Sequence, residues 1–125
     1  MTVMRIFRTL AATLCAISAA SCVSARNGEP SKTWESNKSV DALATCLVPA
    51  LLIKHTFPGD PDVTHYLQTI IPGRVYEVQP QQIITLGVER YFVRLTVKEG
   101  GATHVELFAD SAYRQHALNA VNSCA

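Results

Sequence analysis

Two stretches of the sequence bring histidine and carboxylate side chains together. In the first, residues 55–65, His55 and His65 flank Asp60 and Asp62. Helical zinc sites place two ligands four residues apart and other zinc sites use cysteine pairs, and this stretch has neither. Its prolines and glycine are typical of turns, in which aspartate accepts backbone hydrogen bonds. We therefore expect no metal ion and no other cofactor.

The second stretch is a strand-like segment in which His104 and Glu106 point to one side, with Arg94 expected opposite them. Acid–base or covalent catalysis also needs a nucleophile held by a base and an orienting group. The sequence contains no Gly-x-Ser-x-Gly elbow and no phosphate-binding glycine loop. We interpret these residues as a solvated polar face and expect that the chain is not an enzyme.

The chain has four cysteines, and the first two lie within an N-terminal export signal or at its end, so that neither remains as a free thiol of the mature domain. Arg5 and Arg8 precede an uncharged, largely apolar run, which is the pattern of a secretory signal peptide. Cys15 lies within that run and Cys22 lies at its end. Cys46 and Cys124 remain, and an even pair in an exported domain predicts one disulfide.

The end of the apolar run permits two cleavage sites. Residues 23–25, Val-Ser-Ala, are small enough for an ordinary signal peptidase, which would remove residues 1–25 and leave a soluble periplasmic or secreted protein. Residues 19–22, Ala-Ala-Ser-Cys, resemble the lipobox of small exported bacterial lipoproteins, although Leu is usual at Ala19. That resemblance implies a signal peptide of residues 1–21 and acylation of Cys22. Val23 after it is similar to the residue of lipoproteins that go to the outer membrane, where the domain would face the periplasm or the cell surface.

Residues 22–38 are polar, with Trp34 as the only large apolar side chain beyond Val23. Such a composition predicts a flexible tether, because too little surface can be buried to offset the ordering entropy. The alternative is that Trp34 docks on the domain.

Removing Arg5 and Arg8 leaves nine basic against ten acidic residues, so no basic field remains to attract nucleic acid.

Residues 39–125 are expected to form a single domain that begins and ends with a helix. Ser39 or Asp41 can cap the first helix, which continues to residue 48 before Pro49 kinks or ends it. Asp110 can cap the last helix, which places Cys124 on its apolar side. Residues 62–71 have helical spacing of Val, Tyr, Leu and Ile, which predicts a further short helix, although the same residues also suit a strand.

From residue 74 the apolar period changes to two, which predicts strands at 75–79, 82–86, 91–98 and 103–110. The last two strands also indicate their register. A two-residue Gly100-Gly101 turn would pair apolar with charged residues, whereas a three-residue loop, 99–101, pairs Val97 with Thr103 and makes one face apolar throughout. The prediction is an α+β fold: an antiparallel β-meander of three to four strands with N- and C-terminal helices packed on one face, joined by one disulfide.

The other face of the predicted sheet is the candidate binding face. Its members combine an aromatic pair with a polar rim, which is the composition of protein interfaces. They are Phe92, Arg94, Thr96, His104, Glu106 and Phe108. The alternative is that Trp34 or the helix from Val63 covers this face and forms a second small core.

These features favour a non-enzymatic periplasmic or outer-membrane-anchored lipoprotein that binds a macromolecular partner, as an accessory, inhibitor or immunity-type protein does. The expected partner is a protein of the cell envelope, with membrane contact only through the N-terminal lipid. The alternative is a secreted or periplasmic domain that binds a small ligand or a cell-wall fragment between sheet and helices, in contact with Tyr76, Tyr91 and Tyr113.

Overall fold

The structure is a computed structural model that describes residues 25–54, 57–59, 61–81 and 91–125. The predicted signal peptide, residues 1–21 or 1–25, therefore lies outside the described residues apart from Ala25, and so does Cys22. The same holds for His55 and Asp60 of the turn-rich stretch and for the predicted strand at residues 82–86.

The described residues form an α+β domain with a five-stranded antiparallel sheet, rather than the predicted three to four strands. The strands are β1 (Lys32–Ser36), β2 (His65–Ile71), β3 (Val75–Pro80), β4 (Tyr91–Val97) and β5 (Thr103–Ala109). Their order in the sheet is β1-β5-β4-β3-β2, in which β2 to β5 form an antiparallel meander and β1 pairs with β5 at one edge.

Two segments account for the difference in strand number. β1 lies in the segment predicted as a flexible tether, and it is ordered by pairing with β5, with Trp34 opposite Val105. β2 replaces the helix predicted at residues 62–71, and it pairs with β3 from His65 to Ile71. Its β-branched and aromatic residues suit a strand, and a neighbouring strand supplies hydrogen bonds that local periodicity does not reveal.

The hairpin of β4 and β5 has the predicted register. Val97 lies opposite Thr103 and Leu95 lies opposite Val105. The backbone N–H of Lys98 donates to the carbonyl of Ala102 at 2.8 Å, which leaves a loop of residues 99–101. Gly100 and Gly101 have φ of 83° and 87°, the left-handed region that glycine adopts without strain.

Two helices flank the hairpins in the chain, α1 (Val40–Ala50) and α2 (Arg114–Cys124). The Ser39 hydroxyl accepts from the N–H of Ala42 at 3.2 Å and so caps α1, while Pro49 lies inside its last turn. Asp110 accepts from the N–H groups of Ala112 and Tyr113 at 3.0 and 3.2 Å. It therefore caps the turn that leads into α2 rather than α2 itself.

Both helices pack on one face of the sheet, which we call the inner face, and the opposite side is the outer face. The disulfide predicted between Cys46 and Cys124 is present and joins α1 to α2. Trp34 is half-buried against the inner core. Large core side chains come from both helices and from the three central strands. Among those with no exposed surface are Leu43, Leu47, Val78, Tyr91, Val93, Leu95, Val105, Leu107 and Val121.

Candidate functional site

The six residues predicted as a binding face do lie together on the outer face. Cross-strand pairing places Phe92 opposite Phe108, Arg94 opposite Glu106, and Thr96 opposite His104. The two phenylalanine rings are stacked, with 4.6 Å between their centroids and 10° between their planes.

The aromatic pair is not exposed. Phe92 has no exposed surface and Phe108 is 5% exposed. The N-terminal 3₁₀ turn (Ala25–Asn27) contacts β4 and β5 here, and the Arg26 guanidinium lies 4.5 Å from the centre of the Phe92 ring. The Arg94 guanidinium lies 5.0 Å from the Phe108 ring. A second small core does form on this face, but Arg26 covers it rather than Trp34 or a helix from Val63.

The sequence pattern did not single out Glu77 of β3, a buried charged residue of the kind that often occurs at functional sites. Its carboxylate has no exposed surface, and Arg26 donates to both of its oxygens at 3.2 and 2.8 Å. Arg94 donates twice to Oε1, at 3.1 and 3.0 Å, and the Gln79 amide donates to Oε2 at 2.7 Å. Burial alone would raise the pKa of Glu77, but these hydrogen bonds outweigh it and lower the pKa below its usual value.

One sequence signal could have drawn attention to Glu77. It is a single charged residue among Val75, Tyr76 and Val78 in a strand predicted by its apolar period. Its partner Arg94 lies on the neighbouring strand, in direct register. That register depends on the connection across residues 82–90, which has no turn motif as clear as the glycines of the β4–β5 loop.

The polar rim carries a smaller ion-pair set. The His104 imidazole is within hydrogen-bond distance of Glu35 through Nδ1, and its Nε2 lies 3.9 Å from Glu106. Arg94 lies opposite Glu106 in the β4–β5 pairing, but its salt bridge is with Glu77. The contact between Glu35 and His104 links β1 to β5, and such a contact at a sheet surface contributes about 0–1 kcal/mol to stability.

The tyrosines proposed to contact a small ligand have other partners. Tyr91 is fully buried, its hydroxyl lies 2.5 Å from Nε2 of His65, and its ring packs against Tyr113 at 5.3 Å. Burial also raises the pKa of Tyr91. The Tyr76 hydroxyl accepts from the N–H of Gly73 at 3.1 Å. Each of the three side chains therefore has a contact within the domain, although Tyr76 and Tyr113 are only half-buried.

An open cleft of about 460 Å³ lies between the N-terminal segment and the start of α2. Its walls are mixed in polarity and include none of the three tyrosines. They are formed by Ala25, Gly28, Glu29, Pro30, Ser31, Ala109, Asp110 and Arg114.

Three of the five exposed large apolar side chains among the described residues lie on β2, and the other two are Phe57, 74% exposed, and Val97, 39% exposed. Tyr66 is 37% exposed, Ile70 41% and Ile71 46%. β2 is the last strand of the sheet, so no described strand pairs with its outward edge. We call β2 with these three side chains the β2 edge.

No family model, curated protein or solved structure matches this chain. Among the described residues, no helix has both the length and the apolar character to cross a membrane. The same residues include no cluster of three or more His, Cys, Asp or Glu side chains arranged to hold a metal ion.

Proposed function

We propose that this chain is an exported, non-enzymatic protein that binds a protein of the cell envelope. The disulfide between Cys46 and Cys124 supports export, because such bonds persist in oxidising compartments and are rare in the cytosol. It also ties together the two helices that support the sheet. A stapled, rigid scaffold of this kind lowers the entropy lost when a surface binds a partner.

The β2 edge is the observation that carries this proposal. Unpaired strand edges are ready to pair with another chain, so natural proteins protect them with charges, prolines or covering elements. The opposite edge, β1, has Lys32 and Glu35. β2 has no Asp, Glu, Lys or Arg and no proline from His65 to Ile71. An edge without these protections, with two exposed isoleucines, is suited to strand addition by a partner.

The proposed contact surface is therefore the β2 edge and not the outer face that the sequence composition suggested. While Arg26 is in place, Phe92 and Phe108 cannot serve as exposed anchors, since Arg26 covers Phe92 and Arg94 covers Phe108. Two of the half-buried residues around them also have partners, since Arg94 forms a salt bridge with Glu77 and His104 contacts Glu35. The β2 edge has the exposed apolar side chains that an interface needs, and none of the strands in the described part of the chain pairs with its outward backbone.

Membrane attachment through Cys22 is part of the same proposal. Cys22 precedes Ala25 by three residues, a span of at most about 10 Å when fully extended. Because residues 25–27 contact the sheet, an acylated Cys22 would hold the domain close to the lipid surface rather than on a long tether. In cells that express the protein, Cys22→Ala should move it from the membrane fraction to the soluble fraction. Wild-type protein found already in the soluble fraction would exclude the lipid anchor and leave cleavage after Ala25.

The binding surface can be tested with charges placed on the two edges of the sheet. Ile70→Asp and Ile71→Asp change exposed side chains of β2, and Thr33→Asp is the matched control on exposed β1. The three variants should keep the wild-type thermal midpoint, since exposed substitutions usually change stability by about 0.5 kcal/mol or less. In crosslinked capture from the envelope fraction, the amount of partner recovered with each β2 variant should be at least tenfold lower than with wild type or Thr33→Asp. Equal recovery with all four proteins would refute the β2 edge as the binding surface.

A further inference from the structure

The buried Glu77 carboxylate is the most unusual charge in the described structure. A charge without solvent contact is costly unless other charged groups and hydrogen bonds compensate for it. Arg94 and Gln79, both on the sheet, together supply three of its hydrogen bonds. These partners belong to the folded sheet and hold the carboxylate in one position.

The remaining side of the carboxylate has the shape of a guanidinium site. Arg26 lies there with one nitrogen on each carboxylate oxygen, at 3.2 and 2.8 Å. Its central carbon, Cζ, also lies over the Phe92 ring, 4.5 Å from the ring centre. Two parallel hydrogen bonds and an aromatic face together select arginine over lysine, whose ammonium group is a compact point charge.

The present occupant is held by a short segment. The Arg26 side chain is 39% exposed, although its carboxylate partner has no exposure. The 3₁₀ turn that carries it has three residues, and the open cleft of about 460 Å³ separates the following residues from α2. The segment therefore borders open space along one side, and Arg26 belongs to no strand, so that its displacement would not break a sheet pairing.

We propose that Glu77 and Phe92 form a binding site for an arginine side chain of a protein partner, and that Arg26 fills this site intramolecularly until the partner's arginine displaces it. The Arg26 segment thereby acts as an internal competitor on the outer face. The inference goes beyond the proposed β2 interaction and does not depend on it, because the guanidinium site lies on β3 and β4.

The probe for this site is a synthetic acetylated peptide of residues 25–31. The matched control peptide has citrulline, a neutral isostere, in place of arginine. Both are titrated by calorimetry into three full-length proteins: wild type, Arg26→Ala, and Arg26→Ala combined with Phe92→Leu. Arg26→Ala leaves Arg94 and Gln79 on Glu77, so the carboxylate keeps partners on the sheet. Circular dichroism and Trp34 fluorescence, which reports on the inner face, check that each variant is folded.

Arg26→Ala should bind the arginine peptide at least tenfold more tightly than wild type, because tethered Arg26 competes at an effective concentration on the order of millimolar. The citrulline peptide should bind at least tenfold more weakly than the arginine peptide. The added Phe92→Leu should reduce binding of the arginine peptide. Equal affinity of wild type and Arg26→Ala, or equal affinity for arginine and citrulline peptides, would overturn the proposal. Should the Phe92→Leu protein fail to fold, these two comparisons still decide it.

Discussion

Acid should destabilise this domain through His65, which is the first residue of β2 and faces the inner core. The side chain is 5% exposed, and its Nε2 is 2.5 Å from the Tyr91 hydroxyl. Its Nδ1 is buried and has no hydrogen-bond partner in the described structure. A protonated imidazole would need a second acceptor there, so protonation is opposed by the fold.

The size of the effect follows from the pKa of His65. Burial, with a smaller contribution from the positive charge that His116 can carry, lowers this pKa from 6.5 to about 4. Between these two values the unfolded chain binds a proton that the folded chain does not, so stability falls as pH falls. The slope approaches 1.4 kcal/mol per pH unit, and the total loss between pH 6.5 and pH 4 is about 3 kcal/mol. Above pH 6.5 this contribution to stability is fully present.

Urea unfolding at several pH values from 7.5 to 4 measures this loss. His65→Gln is the control, because its amide can still bond to Tyr91 but does not titrate. Other ionisable groups titrate in both proteins, so the difference in the pH dependence of their unfolding free energies isolates His65. Wild type should lose about 3 kcal/mol more than His65→Gln over this range. Parallel pH profiles for the two proteins would show that His65 is not held neutral by the fold.

Three further substitutions test other parts of the structure. Cys124→Ser removes the disulfide to Cys46, which closes a loop of 78 residues, and should cost about 4 kcal/mol in oxidising buffer but almost nothing in reductant. The thermal midpoints of wild type and variant are compared in each buffer. Equal midpoints of the two proteins in oxidising buffer would exclude the disulfide in solution. Phe92→Ala should cost about 4 kcal/mol by denaturant unfolding, because the ring is fully buried, and a cost below 1 kcal/mol would mean that the Arg26 segment does not cover it. Glu77→Gln should cost about 2 kcal/mol, since it removes charge-assisted bonds from Arg26 and Arg94, and a stability equal to wild type would refute the role of this carboxylate.

The local parts of the fold were predictable from the sequence. The Ser39 cap, the β4–β5 register and the pairing of Cys46 with Cys124 each depend on short patterns or on elimination among few residues. The three-residue loop at residues 99–101 followed from two glycines and from the requirement that opposed side chains share a face. For the outer face, the sequence predicted which residues lie together, but not that Phe92 and Phe108 are buried.

Segments stabilised by distant parts of the chain were not predictable. β1 becomes a strand because β5 offers it an edge more than 60 residues later in the sequence, and its polar composition gives no sign of this pairing. β2 has apolar residues that fit either period, so only its pairing with β3 selects a strand. Propensity and periodicity describe the local chain, whereas these choices are made by tertiary contacts.

Glu77 links the start of the folded chain to the centre of the sheet. A carboxylate with no solvent exposure would destabilise β3 by several kcal/mol without cationic partners. Arg94 belongs to the sheet, but Arg26 comes from residues that composition assigned to a flexible tether. Arg26 is retained under either cleavage interpretation, as the residue that follows Ala25 or as the fourth residue after Cys22. Arg26 therefore belongs to the electrostatic core of the domain, and the same side chain also covers Phe92 on the outer face.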